Sequence, residues 1–351
     1  MRVTQLAVRI QHVFLLLSPP LVGCGNVAEL LGILVTDAGS GHLEPDDVAA
    51  ANGQVDAAAD VEAAAGPEAG ADPEAGIDRG DAGSTCDFSM PFGVPVLLGA
   101  LESNASEGGF RLLPDELTGF FWSSRGIGPG STNLYVTTRP DTGAPFAFIK
   151  LLNNVNLPMS LTIDPTVTAD GLTLVFRGRT GKSDAGIDEL YSTARTDAGS
   201  DFPAGTRVTN LNSTANTVQP FILPDGSEVY FSSNRAGTFD LYRAARSGGT
   251  FGAPVAVTEL NVAAANQGDP VLSTDDLTIL FSSTRIGGLG KDDIWMAQRA
   301  SKTEPFAAPI DLREVNSGGI DAPTWLSPDG CRLYLSSDRD GAVHLYLATR
   351  Q

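Results

Sequence analysis

Beyond residue 86 the chain is written in short runs where apolar side chains alternate with polar ones or follow one another unbroken, as at residues 172–176, 229–231, 277–281 and 333–335. Their length and their β-branched and aromatic content predict strands. A turn sequence marks each corner: Pro114-Asp115-Glu116, Asp170-Gly171, Pro224-Asp225-Gly226, Asp275-Asp276 and Pro328-Asp329-Gly330. Proline presets φ and glycine or aspartate tolerates a tight backbone, so these positions are predicted hairpin corners. A loop then leads to a further strand at 134–136, 190–191, 241–242, 294–296 and 345–347. No sustained apolar stripe at helical period interrupts the series.

The series is a repeat. An arginine closes the second strand of each copy at Arg125, Arg179, Arg235, Arg285 and Arg339, with spacings of 54, 56, 50 and 54 residues. An acidic residue precedes the Leu-Tyr pair of the central copies, as at Asp240, and precedes Ile-Trp at Asp293. Each copy also opens on an aromatic and carries an asparagine near Asn104, Asn156, Asn212, Asn261 or Asn316. Four short strands per unit, repeated five times, predict an all-β, five-bladed β-propeller of four-stranded antiparallel blades. The lone strand near residues 92–98 is predicted to complete the last blade, because an unclosed ring would expose sheet edges.

The motif of Ser-Pro-Asp-Gly, apolar strand, Ser-Ser-x-Arg and Asp-Leu-Tyr over residues 86–351 resembles the WD40-like repeat of the TolB type, also called PD40. The resemblance implies an exported propeller that serves as a protein-interaction platform. The chain departs from the motif at Asn133 and His344, where the central copies have an acid, at the turn positions Glu116 and Asp276, and at Arg177-Gly178-Arg179. No α/β domain of the TolB kind precedes the repeats, so TolB's own role does not follow.

Residues 1–23 read as a signal peptide, with Arg2 and Arg9 ahead of a short apolar stretch. Leu21-Val22-Gly23-Cys24 resembles a lipobox, which would make Cys24 the lipidated first residue of the mature chain. By analogy with bacterial lipoproteins, Gly25 rather than Asp after the cysteine implies the outer membrane of a Gram-negative cell, facing the periplasm or the cell surface. Residues 24–85 then form an acidic tether rich in alanine and glycine, too poor in apolar side chains to repay ordering. Its carboxylates are too diffuse to suggest a metal site, and no cofactor is expected.

Formal net charge is −19, but from residue 86 onward the balance is 29 acidic against 20 basic residues, or −9. Nothing clusters basic charge as a nucleic-acid partner demands. With Cys24 committed to lipid, Cys86 and Cys331 remain, in a compartment where disulfides persist. Cys86 precedes the closing strand and Cys331 opens a strand of the blade it completes, so a bond between them would fasten the ring.

Only His344 among three histidines lies in the repeats, and no nucleophile elbow is present. No catalytic residues are therefore assigned, and a non-enzymatic platform for an envelope protein is the favoured function. Near each innermost strand sit Glu107, Asp164, Gln219, Asp269 and Asp321, which ring symmetry is expected to gather at one channel mouth. These residues leave two alternatives open: a carbohydrate- or peptidoglycan-binding propeller, with Trp122, Trp295 and Trp325 as its aromatics, and a glycosidase using two channel carboxylates. The repeated arginines are expected to be structural, in ion pairs or hydrogen bonds to carbonyls. The glycine-rich loops at 127–131, 181–185 and 286–293 escape the repeat and are the natural places for blade-specific recognition.

Overall fold

The computed structural model describes residues 86–350 except 127–130, 158 and 181–185. The signal peptide, Cys24 and the tether lie outside the described residues. In chain order, β1 (Val96–Leu97) precedes a single 3₁₀ turn at Gly99–Leu101. The first blade follows as β2 (Glu107–Leu112), β3 (Thr118–Ser123), β4 (Asn133–Thr138) and β5 (Phe148–Leu151). A one-turn helix at Asn153–Asn156 leads to the second, β6 (Leu161–Val167), β7 (Thr173–Arg179), β8 (Glu189–Ala194) and β9 (Thr206–Arg207). The third comprises β10 (Thr217–Ile222), β11 (Glu228–Ser233), β12 (Asp240–Ser247), β13 (Thr250–Phe251) and β14 (Val255–Ala256). The fourth is β15 (Gln267–Leu272), β16 (Thr278–Ser283), β17 (Asp293–Gln298) and β18 (Ile310–Asp311). The fifth has β19 (Asp321–Leu326), β20 (Arg332–Ser337) and β21 (His344–Thr349).

All pairings within the blades are antiparallel, and the fifth sheet runs β1-β21-β20-β19. The N-terminal strand thus completes the last blade, with Val96 opposite Leu347 and Leu97 opposite Tyr346. Five blades of four strands arranged as a propeller are what the repeat predicted; the third alone carries the extra two-residue strand β13.

Middle strands are covered on both faces by neighbouring blades, which is why β16 is buried throughout, its Thr278, Ser282 and Ser283 included. Aromatic rings fill the seams. Phe110 of blade one meets Tyr334 of blade five edge-on, with centroids 5.5 Å apart. Across the same seam Glu116 accepts from Arg332 Nε at 2.9 Å, and it also lies 3.5 Å from Arg139.

Four of the repeated arginines do one job. Nε of Arg125, Arg235, Arg285 and Arg339 donates to the serine two residues earlier at 2.9–3.0 Å. Their Nη2 atoms donate to the carbonyls of Leu101, Leu211, Leu260 and Val315. Each guanidinium also covers an aromatic ring of its blade, as Arg285 covers Phe281 at 4.8 Å. Arg179 is the exception. Gly178 stands where the other copies have the serine, one residue too close, and Arg179 Nε donates instead to Asp188 Oδ1 at 2.7 Å. Among the described residues Arg235 forms no ion pair with Asp240 nor Arg285 with Asp292, because serine and carbonyl acceptors take both guanidinium groups. Asp240 and Asp293 open the third strands of their blades.

The repeated asparagine is a backbone clamp. Asn156, Asn212, Asn261 and Asn316 each accept from and donate to one residue of the adjacent third strand, at Leu134, Leu190, Leu241 and Ile294. In the first copy this position is Glu102, not Asn104: Leu98 N donates to Leu345 O just as Leu152 N donates to Leu134 O, which sets the register.

Candidate functional site at the channel mouth

The five residues expected at one mouth fall into two sets. Glu107 and Asp321 open β2 and β19 and are fully buried between blades. Arg125 Nη2 lies 3.4 Å from Glu107, and Arg339 Nη2 lies 2.8 Å from Asp321. Asp164, Gln219 and Asp269 instead occupy bulges inside β6, β10 and β15, with φ of +52°, +52° and +48°. A bulge places two residues opposite one and re-aims a side chain. Here the re-aimed side chains enter the channel. The two sets are not equivalent positions of the repeat, since the bulge residue lies two places beyond the strand opening in blades three and four. Gly109 holds the bulge position in blade one, with φ of +62°, where an added Cβ would strike Trp122.

Two adjoining cavities of about 200 and 430 Å³ share Arg177, Gln219, Asp269 and Ile320 in their walls. Their charges are unevenly matched. On the blade-two side Arg177 lies 3.4 Å from Asp164 and donates through Nε to Asp188 at 3.0 Å, while Arg179 also holds Asp188. On the blade-four side Asp269 accepts from Gln219 Nε2 at 2.8 Å and from Ser282 Oγ at 2.9 Å. Among the described residues neither Asp269 nor Asp292 has a salt-bridge partner. Burial, then repulsion from Asp164, lifts Asp269 to about 7; burial, then repulsion from Asp293, lifts Asp292 to about 6.

Arg111 floors the site. It lines both the polar cavity and a smaller apolar one of about 50 Å³ that also includes Trp325. Burial lowers it to about 10, against the attraction of Asp269 and Asp164, so it remains charged at neutral pH. Its Nη2 donates to Pro270 O at 3.4 Å and its guanidinium covers Phe221 at 5.0 Å, but Nε and Nη1 have no hydrogen-bond acceptor among the described residues. Sequence reading missed this residue. Its signal was an arginine at an inner-strand position where blades three and four carry Phe221 and Val271. Of the three tryptophans, Trp295 and Trp325 are buried among the blades and Trp122 lines the 200 Å³ cavity, half-buried.

Cys86 and Cys331 are bonded in the structure, their Cα atoms 5.2 Å apart across a sequence separation of 245. Residues 127–130 and 181–185, two of the glycine-rich loops, lie outside the described residues. Among the described residues no helix is long and apolar enough to cross a membrane.

The fold and site together define a five-bladed propeller with a polar, carboxylate-lined channel mouth. The chain matches no known family profile and no curated protein. Among solved structures it is similar to an Agrobacterium tumefaciens protein designated TolB, at 16% identity and a TM-score of 0.46, covering 71% of this chain and 78% of that one. It is similar also to a thermostable family-43 glycoside hydrolase (12%, TM-score 0.45, covering 70% and 88%) and to the GH62 α-L-arabinofuranosidase catalytic domain of Coprinopsis cinerea (14%, 0.45, covering 74% and 96%). Likenesses this distant carry no assignment of activity.

Proposed function

We propose that this protein is a binding propeller that captures a cationic segment of a cell-envelope protein at its channel mouth, displayed on a tether anchored through lipid at Cys24. One observation carries the reading: Asp269 and Asp292 line one cavity, neither in a salt bridge among the described residues and each held partly neutral by its surroundings. A lysine, an arginine or an amino terminus brought between them would return both to the ionised state and gain the attraction that burial withholds. Carboxylates already satisfied by arginine, as on the blade-two side, would offer a cation much less.

A carbohydrate ligand is the second reading, favoured by Trp122, whose half-buried ring shares a wall with Asp164 and Asp269. Crosslinking in intact cells separates the two. The wild type should capture a protein through a basic segment, and Asp269→Asn with Asp292→Asn should lose it. Retained peptidoglycan or oligosaccharide, unaffected by those substitutions but lost in Trp122→Ala, would replace the first reading with the second. Release of product from aryl glycosides, abolished by Asp269→Asn, would overturn both in favour of an enzyme.

A further inference from the structure

At every seam between blades, three positions converge: the residue opening a third strand, the asparagine clamp of the following connection, and the residue opening the next inner strand. Between blades one and two they are Asn133, Asn156 and Thr162, the second residue of β6, a neutral set in which Thr162 donates to Asn156. Between blades three and four they are Asp240, Asn261 and Gln267. At the seam where the ring closes they are His344, Glu102 and Glu107; the inner-strand carboxylate recurs at Asp321 between blades four and five, but the imidazole and a carboxylate in the asparagine's place occur only here among the described residues. An imidazole and two carboxylates therefore meet at the seam between the last blade and the first.

The geometry points to a divalent metal site of the zinc class at this seam, with His344 Nδ1, a Glu102 carboxylate oxygen and Glu107 Oε2 as ligands. Candidate ligand atoms of the three residues lie within 4.8 Å of one another. His344 Nδ1 is 2.8 Å from Glu102 Oε2 and 3.6 Å from Glu107 Oε2, yet it makes no hydrogen bond to either. Glu102 Oε1 and Glu107 Oε2 are also buried without a hydrogen-bond donor among the described residues. Glu107 is 0% exposed, so its bare oxygen is expensive to leave unmatched.

The opposite edge of Glu107 supports the same assignment. Its Oε1 accepts from Ser103 Oγ and, at 2.9 Å, from Ser123 Oγ, with Arg125 Nη2 at 3.4 Å. Three donors on Oε1 fix the carboxylate and leave Oε2 turned towards His344, the arrangement by which outer partners orient a metal ligand. One imidazole nitrogen with carboxylate oxygens suits zinc and its first-row neighbours; magnesium and calcium take oxygen shells. Bound there, the cation would join β21 to β2 and to the turn after β1, latching the ring on the edge remote from the Cys86–Cys331 bond. That bond lies at the start of β20, and His344 pairs with Ser337 at its end.

The test uses the full-length protein, stripped with chelator, dialysed against Zn²⁺ and assayed for bound metal and thermal midpoint. Three variants install residues that equivalent seams already use: Glu102→Asn, Glu107→Gln and His344→Asn. They are therefore expected to keep the fold, checked by the metal-free midpoint and circular dichroism. The wild type should take up one Zn²⁺ per chain and melt higher for it. Each variant should lose affinity by at least the roughly 10–100-fold typical of removing an outer partner alone. A wild type with no saturable Zn²⁺ binding, zinc uptake equal in all three variants, or Ca²⁺ and Mg²⁺ competing on equal terms would each overturn the assignment. Binding by the wild type is decisive alone, so a variant that misfolds does not shelter the proposal.

Discussion

Gln219 donates from Nε2 to Oδ2 of Asp269 at 2.8 Å, joining blades three and four across the channel mouth, and both residues sit at bulges with positive φ. Backbone in this region costs a non-glycine residue on the order of 1–3 kcal/mol unless its surroundings enforce it. The same arrangement at Asp164 makes three neighbouring blades accept that cost to present polar side chains to one cavity. Strain of this kind concentrates at functional sites, and it bears directly on how the mouth should titrate.

Replacing Asp269 by asparagine should stabilise the protein while removing its ligand. The carboxyl titrates near 3.8 when unperturbed and near about 7 in the fold. The folded state thus holds the proton more tightly, so this group's favourable contribution is complete below 3.8 and is lost as pH rises through about 7. Asp269→Asn is therefore expected to gain about 2–4 kcal/mol at pH 8 and markedly less at pH 5. Denaturant melts across that range check it. A gain independent of pH would show that Asp269 ionises freely.

Arg111→Met should push Asp269 higher still. Attraction to the buried guanidinium lowers the Asp269 pKa, against burial and Asp164, which raise it. Carboxyl NMR titration should find the midpoint above that of the wild type, and an unchanged midpoint would mean that the two groups are insulated from each other.

Reduction of the ring-closing bond should be felt globally. A double Cys86→Ser, Cys331→Ser variant is expected to lose about 2–5 kcal/mol, because the loop it frees is long and its closure entropy large. The thermal midpoint under reducing and non-reducing conditions reads this out. Equal midpoints for wild type and variant without reductant would argue against a bond in the mature protein.

Arg235→Lys should cost about 1–3 kcal/mol despite conserving charge. Lysine cannot reach Ser233 Oγ and Leu211 O together while lying flat on Phe231 and Tyr242. Chemical denaturation at neutral pH measures the loss, and a change below about 0.5 kcal/mol would mark the anchor as dispensable.

Much of the architecture was legible because a propeller blade is a local object. Turn residues such as Pro224-Asp225-Gly226, the alternation after them and the arginine at Arg235 all act within one unit, so a repeated pattern in sequence is a repeated structure. Closure by residues 96–97 followed from the need to cover an edge.

What happens between units was not legible in the same way. Arg179 pairs with Asp188 across its own short loop, but the serine and carbonyl acceptors that draw Arg235 and Arg285 away from Asp240 and Asp292 emerge only in the fold. Bulges separated Glu107 and Asp321 from Asp164, Gln219 and Asp269, because two extra residues along a strand exchange a seam for the channel. Arg111 became a channel floor only when five inner strands were brought together around it. His344 and Glu107 come from opposite ends of the propeller, and only ring closure makes them neighbours. The sequence by itself determined the blades, since their hydrogen bonds and turns are short-range. The tertiary structure decided which side chains share a buried space, and so which carboxylates ionise, because desolvation and Coulomb forces depend on proximity in space rather than along the chain.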